Sequence, residues 1–183
     1  MSKPKTALLV IDVQQSFLHR PYWDDTELPA FRHHLQALIA GAEARGVPVV
    51  NILHEDGDGP FSAASGLVKP LDWLSHTPAA TFVKHVHNAI IGSGLQEWLD
   101  ERGITRLVVS GIRTEQCCET TTRVASDLGY EVDFVTDATL TFAMTHPVSG
   151  RTYSPAEIRE KTELVLSGRF ARIASVDDAL AAM

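Results

Sequence analysis

The amino-acid sequence predicts an α/β fold, a parallel β-sheet between two layers of helices, in one domain spanning residues 1–183. Three observations carry this. Short β-prone runs alternate with longer helical patterns, the order that makes helices the crossovers between parallel strands. Runs such as Leu8-Leu9-Val10-Ile11 and Leu107-Val108-Val109 are continuously apolar rather than alternating, as strands covered on both faces require. Finally, 183 residues with 44% apolar and 21% charged side chains suffice for one full core and are short for two.

In chain order, the first strand is expected at Ala7–Val13. A helix follows from Pro29 to about Arg45, opened by the proline and closed by Gly46. Its residues Phe31, Leu35, Leu38, Ile39 and Ala42 recur at helical spacing and give it one packing face. Val47–Leu53 is the second strand and Thr81–Lys84 a short third. Between them, His54–Pro78 is broken by glycines and prolines, with a short helix expected near Leu71–Leu74. An irregular stretch of that length reads as a lid or a contact surface. A helix from Ser93 to Glu101 stops before Gly103. The fourth strand is Arg106–Ser110, the next helix Glu115–Leu128, and the fifth strand Glu131–Thr136. A helix over Pro155–Ser167, a strand near Ala171–Ala174 and a helix from Ser175 or Val176 complete the order.

Composition narrows the function. The formal net charge is −7, from 23 acidic and 16 basic side chains, with no local cluster of Lys and Arg. That argues against nucleic acid and anionic membrane surfaces as partners. No apolar run has the length of a membrane span or of a signal core with its cleavage site, so a cytoplasmic setting is the expectation. The two cysteines are adjacent, which excludes a disulfide framework, and no C-x-x-C pattern suggests a zinc or iron–sulfur site. A G-x-G-x-x-G turn after the first strand is absent as well, which counts against a dinucleotide cofactor.

In open parallel sheets, ligands bind at the carboxyl ends of the strands. Asp12 follows strand one, Lys84 closes strand three, and Cys117 lies just beyond strand four. Cys117 falls in the first turn of a helix, where free backbone N–H groups and the helix field favour a thiolate. Spacing alone leaves it open between a nucleophile and a packed thiol. Cys118 shares an apolar stripe with Thr121, Ala125 and Leu128 and is expected in the core. For Asp12 the alternatives are a loop cap or a base for the Cys117 thiol, and for Lys84 a surface residue or a cation supporting both.

Three ordered segments resemble the isochorismatase-like cysteine hydrolases, a family that includes nicotinamidases and N-carbamoylsarcosine amidohydrolase. They are Asp12-Val-Gln14-Gln-Ser-Phe17, then Phe82-Val-Lys84 followed by Gly92-Ser-Gly94-Leu95, and Gly111-Ile-Arg-Thr114-Glu-Gln-Cys117-Cys118 continuing to Asp137-Ala138. The resemblance implies a six-stranded parallel sheet and a homodimer or higher homo-oligomer. It implies Cys117 as nucleophile, Asp12 as proton acceptor and Lys84 as third triad member. It further implies a cis Ile112–Arg113 bond, with an oxyanion hole from the backbone N–H groups of Arg113 and Cys117. The expected reaction is hydrolysis of a C–N bond in a small amide, carbamoyl or ureido substrate through a thioester. The alternatives are hydrolysis of a cyclic enol ether, or a binding scaffold that leaves the site unused.

Substrate-contact candidates are Phe17, Arg113, His85, His87 and Phe142. Arg113 either grips a substrate carboxylate or pairs with Glu115 or Glu119. His85 and His87 share a side only in an extended chain. Trp23, Phe61, Trp73 and Phe142 are candidate pocket walls or subunit contacts, and Met144–Pro147 is a further candidate to reach the crevice. The Asp-x-His metal motif of nicotinamidases is missing from Asn51–Asp58. His54, Asp56 and His76 keep a metal conceivable, but the expectation is no cofactor.

Overall fold

The computed structural model describes residues 5–183, so the first four positions of the expected domain lie outside the described residues. In chain order the elements are β1 (Thr6–Ile11), α1 (Leu28–Ala44), β2 (Val49–His54), β3 (Ala80–Lys84), α2 (Leu95–Glu101), β4 (Arg106–Ile112), α3 (Glu119–Asp127), β5 (Glu131–Leu140), β6 (Met144–Thr145), β7 (Thr152–Tyr153), α4 (Pro155–Leu166), β8 (Arg172–Ile173) and α5 (Val176–Ala182). A six-stranded sheet has the order β3-β2-β1-β4-β5-β8, parallel at every pairing. β6 and β7 form a separate antiparallel hairpin.

The continuous apolar runs have the origin the sequence suggests. Leu8, Val10 and Val108 point into one core layer with α1 and α5, while Ala7, Leu9, Ile11, Leu107 and Val109 point into the other with α2 and α3. Alternate side chains of one strand therefore fill opposite apolar layers. The result is three layers, α-β-α.

Several boundaries differ from expectation for local reasons. β1 stops at Ile11 because Asp12 adopts a left-handed backbone, φ 54°. β2 begins at Val49, after Pro48, which offers β1 only its carbonyl. α2 begins at Leu95, behind Gly94 with φ 85°. β5 runs four residues past Thr136, to Leu140. The helix expected at Leu71–Leu74 is instead a single turn, with Leu74 N–H donating to the Leu71 carbonyl. The expected Glu115–Leu128 helix is divided into a π-helical turn, Thr114–Cys118, and α3. Short 3-10 turns at Gln15–His19 and Ala63–Ser65, and the β6–β7 hairpin, carry no periodic signal and were not expected.

Gly111 permits a close approach between β4 and β1. A Cβ there would lie 2.0 Å from the Ile11 carbonyl oxygen, and its φ is 125°. Only glycine lets β4 run beside the end of β1 and deliver the Cys117 turn next to Asp12.

Candidate active site

β1 lies between β2 and β4, with β3 beyond β2 and β5 beyond β4. Strand order thus reverses at β1 and β4, which opens a crevice at their carboxyl ends. Four chemically able side chains meet there: Asp12 after β1, His54 ending β2, Lys84 ending β3, and Cys117 beyond β4.

Lys84 links them. Its Nζ lies 2.9 Å from Asp12 Oδ2, donates to His54 Nδ1 at 2.7 Å and to the Val86 carbonyl at 3.1 Å, and approaches Cys117 Sγ at 3.4 Å. Asp12 and Lys84 are both buried. A desolvated ammonium is tolerable only with such partners. Asp12 is the one non-glycine with positive φ among the described residues, a conformation aspartate tolerates better than most. Lys84 and the Cys117 thiol both approach its carboxylate and favour the charged form, so the thiol has a proton acceptor within reach.

His54 accepts from Lys84 at Nδ1, so its ring is neutral with the proton on Nε2. Burial and the Lys84 charge together push its pKa down to about 4. Gln14, fully buried, fixes the histidine's backbone from β1's side of the crevice. Its Nε2 donates to the His54 carbonyl at 2.9 Å, and its Oε1 accepts from His54 N–H at 2.7 Å.

Ligand atoms of Asp12, His54 and Cys117 all lie within 4.8 Å of one another. Burial pushes the Cys117 thiol up, and Asp12 adds to this against the opposing pull of Lys84. A helix start favours a thiolate, but burial and the facing Asp12 carboxylate act the other way and favour the protonated thiol. Burial also raises the Asp12 carboxyl, again opposed by Lys84. A thiol therefore stands beside an acceptor of raised basicity, and an ammonium touches both. Cys118 packs into the core layer that holds Leu107 and Val109.

Asp12, His54 and Cys117 stand close enough to hold a metal ion between them, and Lys84 Nζ contacts an atom of each. The His54–Asp56–His76 set is not brought together, as His76 Nε2 is hydrogen-bonded to Asn51 Oδ1.

The cluster floors a cleft of about 200 Å3, walled by Phe17, Tyr22 and Phe61 and rimmed by Arg20, Asp56 and His87. Of the candidate contacts, Phe17 and His87 reach it. His85 lies outside, bonded to the Glu55 carbonyl. Phe142 is buried behind Tyr22 and Trp23. Arg113 pairs with Glu115 at 2.9 Å and stacks over Tyr22, while Glu119 is taken by Arg123 and Lys161. Trp73 packs edge-on against Phe31. Met144–Pro147 lines a different groove, shared with Tyr153 and Ile158. The Ile112–Arg113 peptide bond is cis. Sequence reasoning missed the His54–Lys84 bond and the Gln14 clamp, although His54 ends a strand as Lys84 does. Arg20 and Tyr22 lie in a non-periodic loop and gave no signal.

The isochorismatase-domain family model matches residues 6–155, most of the chain. This chain belongs to the isochorismatase family. It is 29% identical over 182 residues to the isochorismatase family protein YrdC of Bacillus subtilis, covering 94% of this chain and 93% of that one. It is 32% identical over 142 residues to a streptothricin hydrolase of Streptomyces noursei, covering 74% of this chain and 50% of that one. A crystal structure of an isochorismatase-family protein from Chromobacterium violaceum superposes with a TM-score of 0.87 at 29% identity, covering 99% and 94% of the two chains. Within this family, the clustering of Cys117, Asp12 and Lys84 is a hydrolase triad of the cysteine type. No described helix is long and apolar enough to cross a membrane.

Proposed function

We propose that this isochorismatase-family chain hydrolyses a C–N bond in a small amide, carbamoyl or ureido compound, with residues 1–183 acting as one catalytic domain. The observation that carries the reading is a buried thiol flanked by a carboxylate and an ammonium at the floor of a small cleft. Asp12 accepts the Cys117 proton as the sulfur bonds to the substrate carbonyl carbon. The developing oxyanion is received by the backbone N–H groups of Arg113 and Cys117, in the turn that carries the sulfur. Asp12 then returns the proton to the departing nitrogen, the C–N bond breaks, and ammonia or an amine leaves a thioester. Water attacks the thioester with Asp12 as base, releasing the acid and restoring the thiol.

Phe17 and His87 are assigned to substrate contact, supported by their place on the cleft wall and rim. The cleft is smaller than the roughly 300–1,000 Å3 of drug-sized sites, which suits a substrate of few heavy atoms. The streptothricin hydrolase among its relatives is a named hydrolase on the same family scaffold. Two free thiols suit a reducing, cytoplasmic setting, and exposed Val148, Leu164 and Met144 suit a homo-oligomer. The test is a panel of small amides, ureas and enol ethers with product analysis. Release of ammonia or amine is expected, and release of pyruvate from an enol ether without any C–N cleavage would replace this reading.

A further inference from the structure

We propose that Arg20 selects substrates carrying a carboxylate, so that the compound presented to Cys117 is an anionic amide or ureido acid. The inference rests on the hydrolase reading above and concerns the substrate class of the same cleft. Arg113, the arginine nearest the cysteine in sequence, is unsuited to this task, because its guanidinium is paired with Glu115 and buried against Tyr22. Arg20 shares the cleft with Cys117. Its guanidinium carbon lies 5.5 Å from the Tyr22 ring centre and 5.9 Å from that of Phe61, two rings of the cleft wall. Stacking of this kind steadies the guanidinium plane while leaving its N–H edge free for a planar anion. No carboxylate among the described residues forms an ion pair with it.

The other charges of the cleft sharpen the case. Lys84 is engaged by Asp12, His54 and the Val86 carbonyl, so it has little left to offer a ligand. His54 is neutral, as its bond from Lys84 requires. Asp56 and Asp58 line the same cleft and disfavour an anion, so Arg20 is the group there that would hold one. On this reading the substrate's anion sits at Arg20 and its carbonyl at the sulfur.

Two electrophiles of one shape test this without knowledge of the substrate. Iodoacetate and iodoacetamide differ by a carboxylate against a neutral amide. Each alkylates Cys117 by forming an S–C bond as iodide leaves, with the thiol proton passing to Asp12. Rates are measured at low ionic strength by peptide mass mapping of Cys117, with C117A as the blank and a free thiol as reference. The wild-type iodoacetate-to-iodoacetamide ratio is expected to exceed that of the free thiol roughly tenfold or more. Arg20→Gln should remove that excess without slowing iodoacetamide, and Arg20→Lys should keep part of it. An unchanged ratio in Arg20→Gln, or a wild-type ratio at or below that of the free thiol, overturns the proposal. In parallel, N-carbamoylglycine and its neutral methylamide are offered as substrates. Turnover of both at equal efficiency overturns Arg20 selectivity and leaves the hydrolase reading standing. An Arg20-dependent alkylation ratio with no C–N cleavage across the panel overturns the hydrolase reading and leaves Arg20 as an anion-binding residue.

Discussion

Lys84 shows how one side chain sets the chemistry of three others. Its ammonium lowers the proton affinity of both Asp12 and Cys117, against a burial that raises both. Lys84→Met should leave the carboxyl protonated and the thiol still harder to ionise. Alkylation of Cys117 by iodoacetamide should then slow by tenfold or more, with turnover lost. An unchanged alkylation rate would show that the lysine is only structural. His54 makes a pH prediction with a definite sign. Its pKa is about 4 in the folded protein against an ordinary 6.5. Between these values the unfolded chain binds more protons, so this histidine costs stability as pH falls below 6.5, until about 4, and contributes nothing above. Ring titration followed by NMR should give the low value. His54→Asn, which keeps an acceptor for Lys84, should flatten the acid loss of stability seen in urea unfolding.

Among the elements, the β4–α3 junction was the most legible part of the site. Gly111 ends an apolar run, and the cysteine follows at a strand-to-helix turn, so Asp12, Lys84 and Cys117 were all identifiable from strand ends. The contacts among them were not. His54 meets Lys84 because β2 and β3 pair in a register that sets these two residues opposite each other. A sequence gives no register for parallel strands separated by some 25 residues of irregular chain. Arg20 was illegible for another reason, since its position depends on a turn after β1 that shows no periodicity. Gly111→Ala tests the junction directly. With backbone atoms as close as 2.0 Å to the added carbon, neither strand can yield cheaply. A loss above ~3 kcal/mol, or failure to fold, is expected in urea denaturation, beyond the usual range for a glycine-to-alanine change in a strand.

For the whole molecule, the parallel sheet was readable because its strands are apolar on both faces, and the two core layers confirm why. The edge was less so. β8 contributes two residues, held to β5 by Arg172 against the buried Asp133 carboxylate at 2.8 and 2.9 Å. If residues 1–183 act as one domain, thermal unfolding followed by near- and far-ultraviolet circular dichroism should give coincident transitions. Sedimentation should give at least twice the 20.0 kDa chain mass if the exposed apolar side chains mark a homo-oligomer. Separate transitions, or a monomer at micromolar concentration, would contradict these two expectations in turn.

On the proposed mechanism Cys117 attacks the substrate and carries it as a thioester. Acid-quenched turnover on the best amide or ureido substrate, read by intact-protein mass and peptide mapping, tests it most directly. An acyl adduct is expected on Cys117 of the wild-type protein and none on Cys118, with a fall in turnover of roughly 10⁴-fold or more in Cys117→Ala. Wild-type turnover by Cys117→Ala would contradict it.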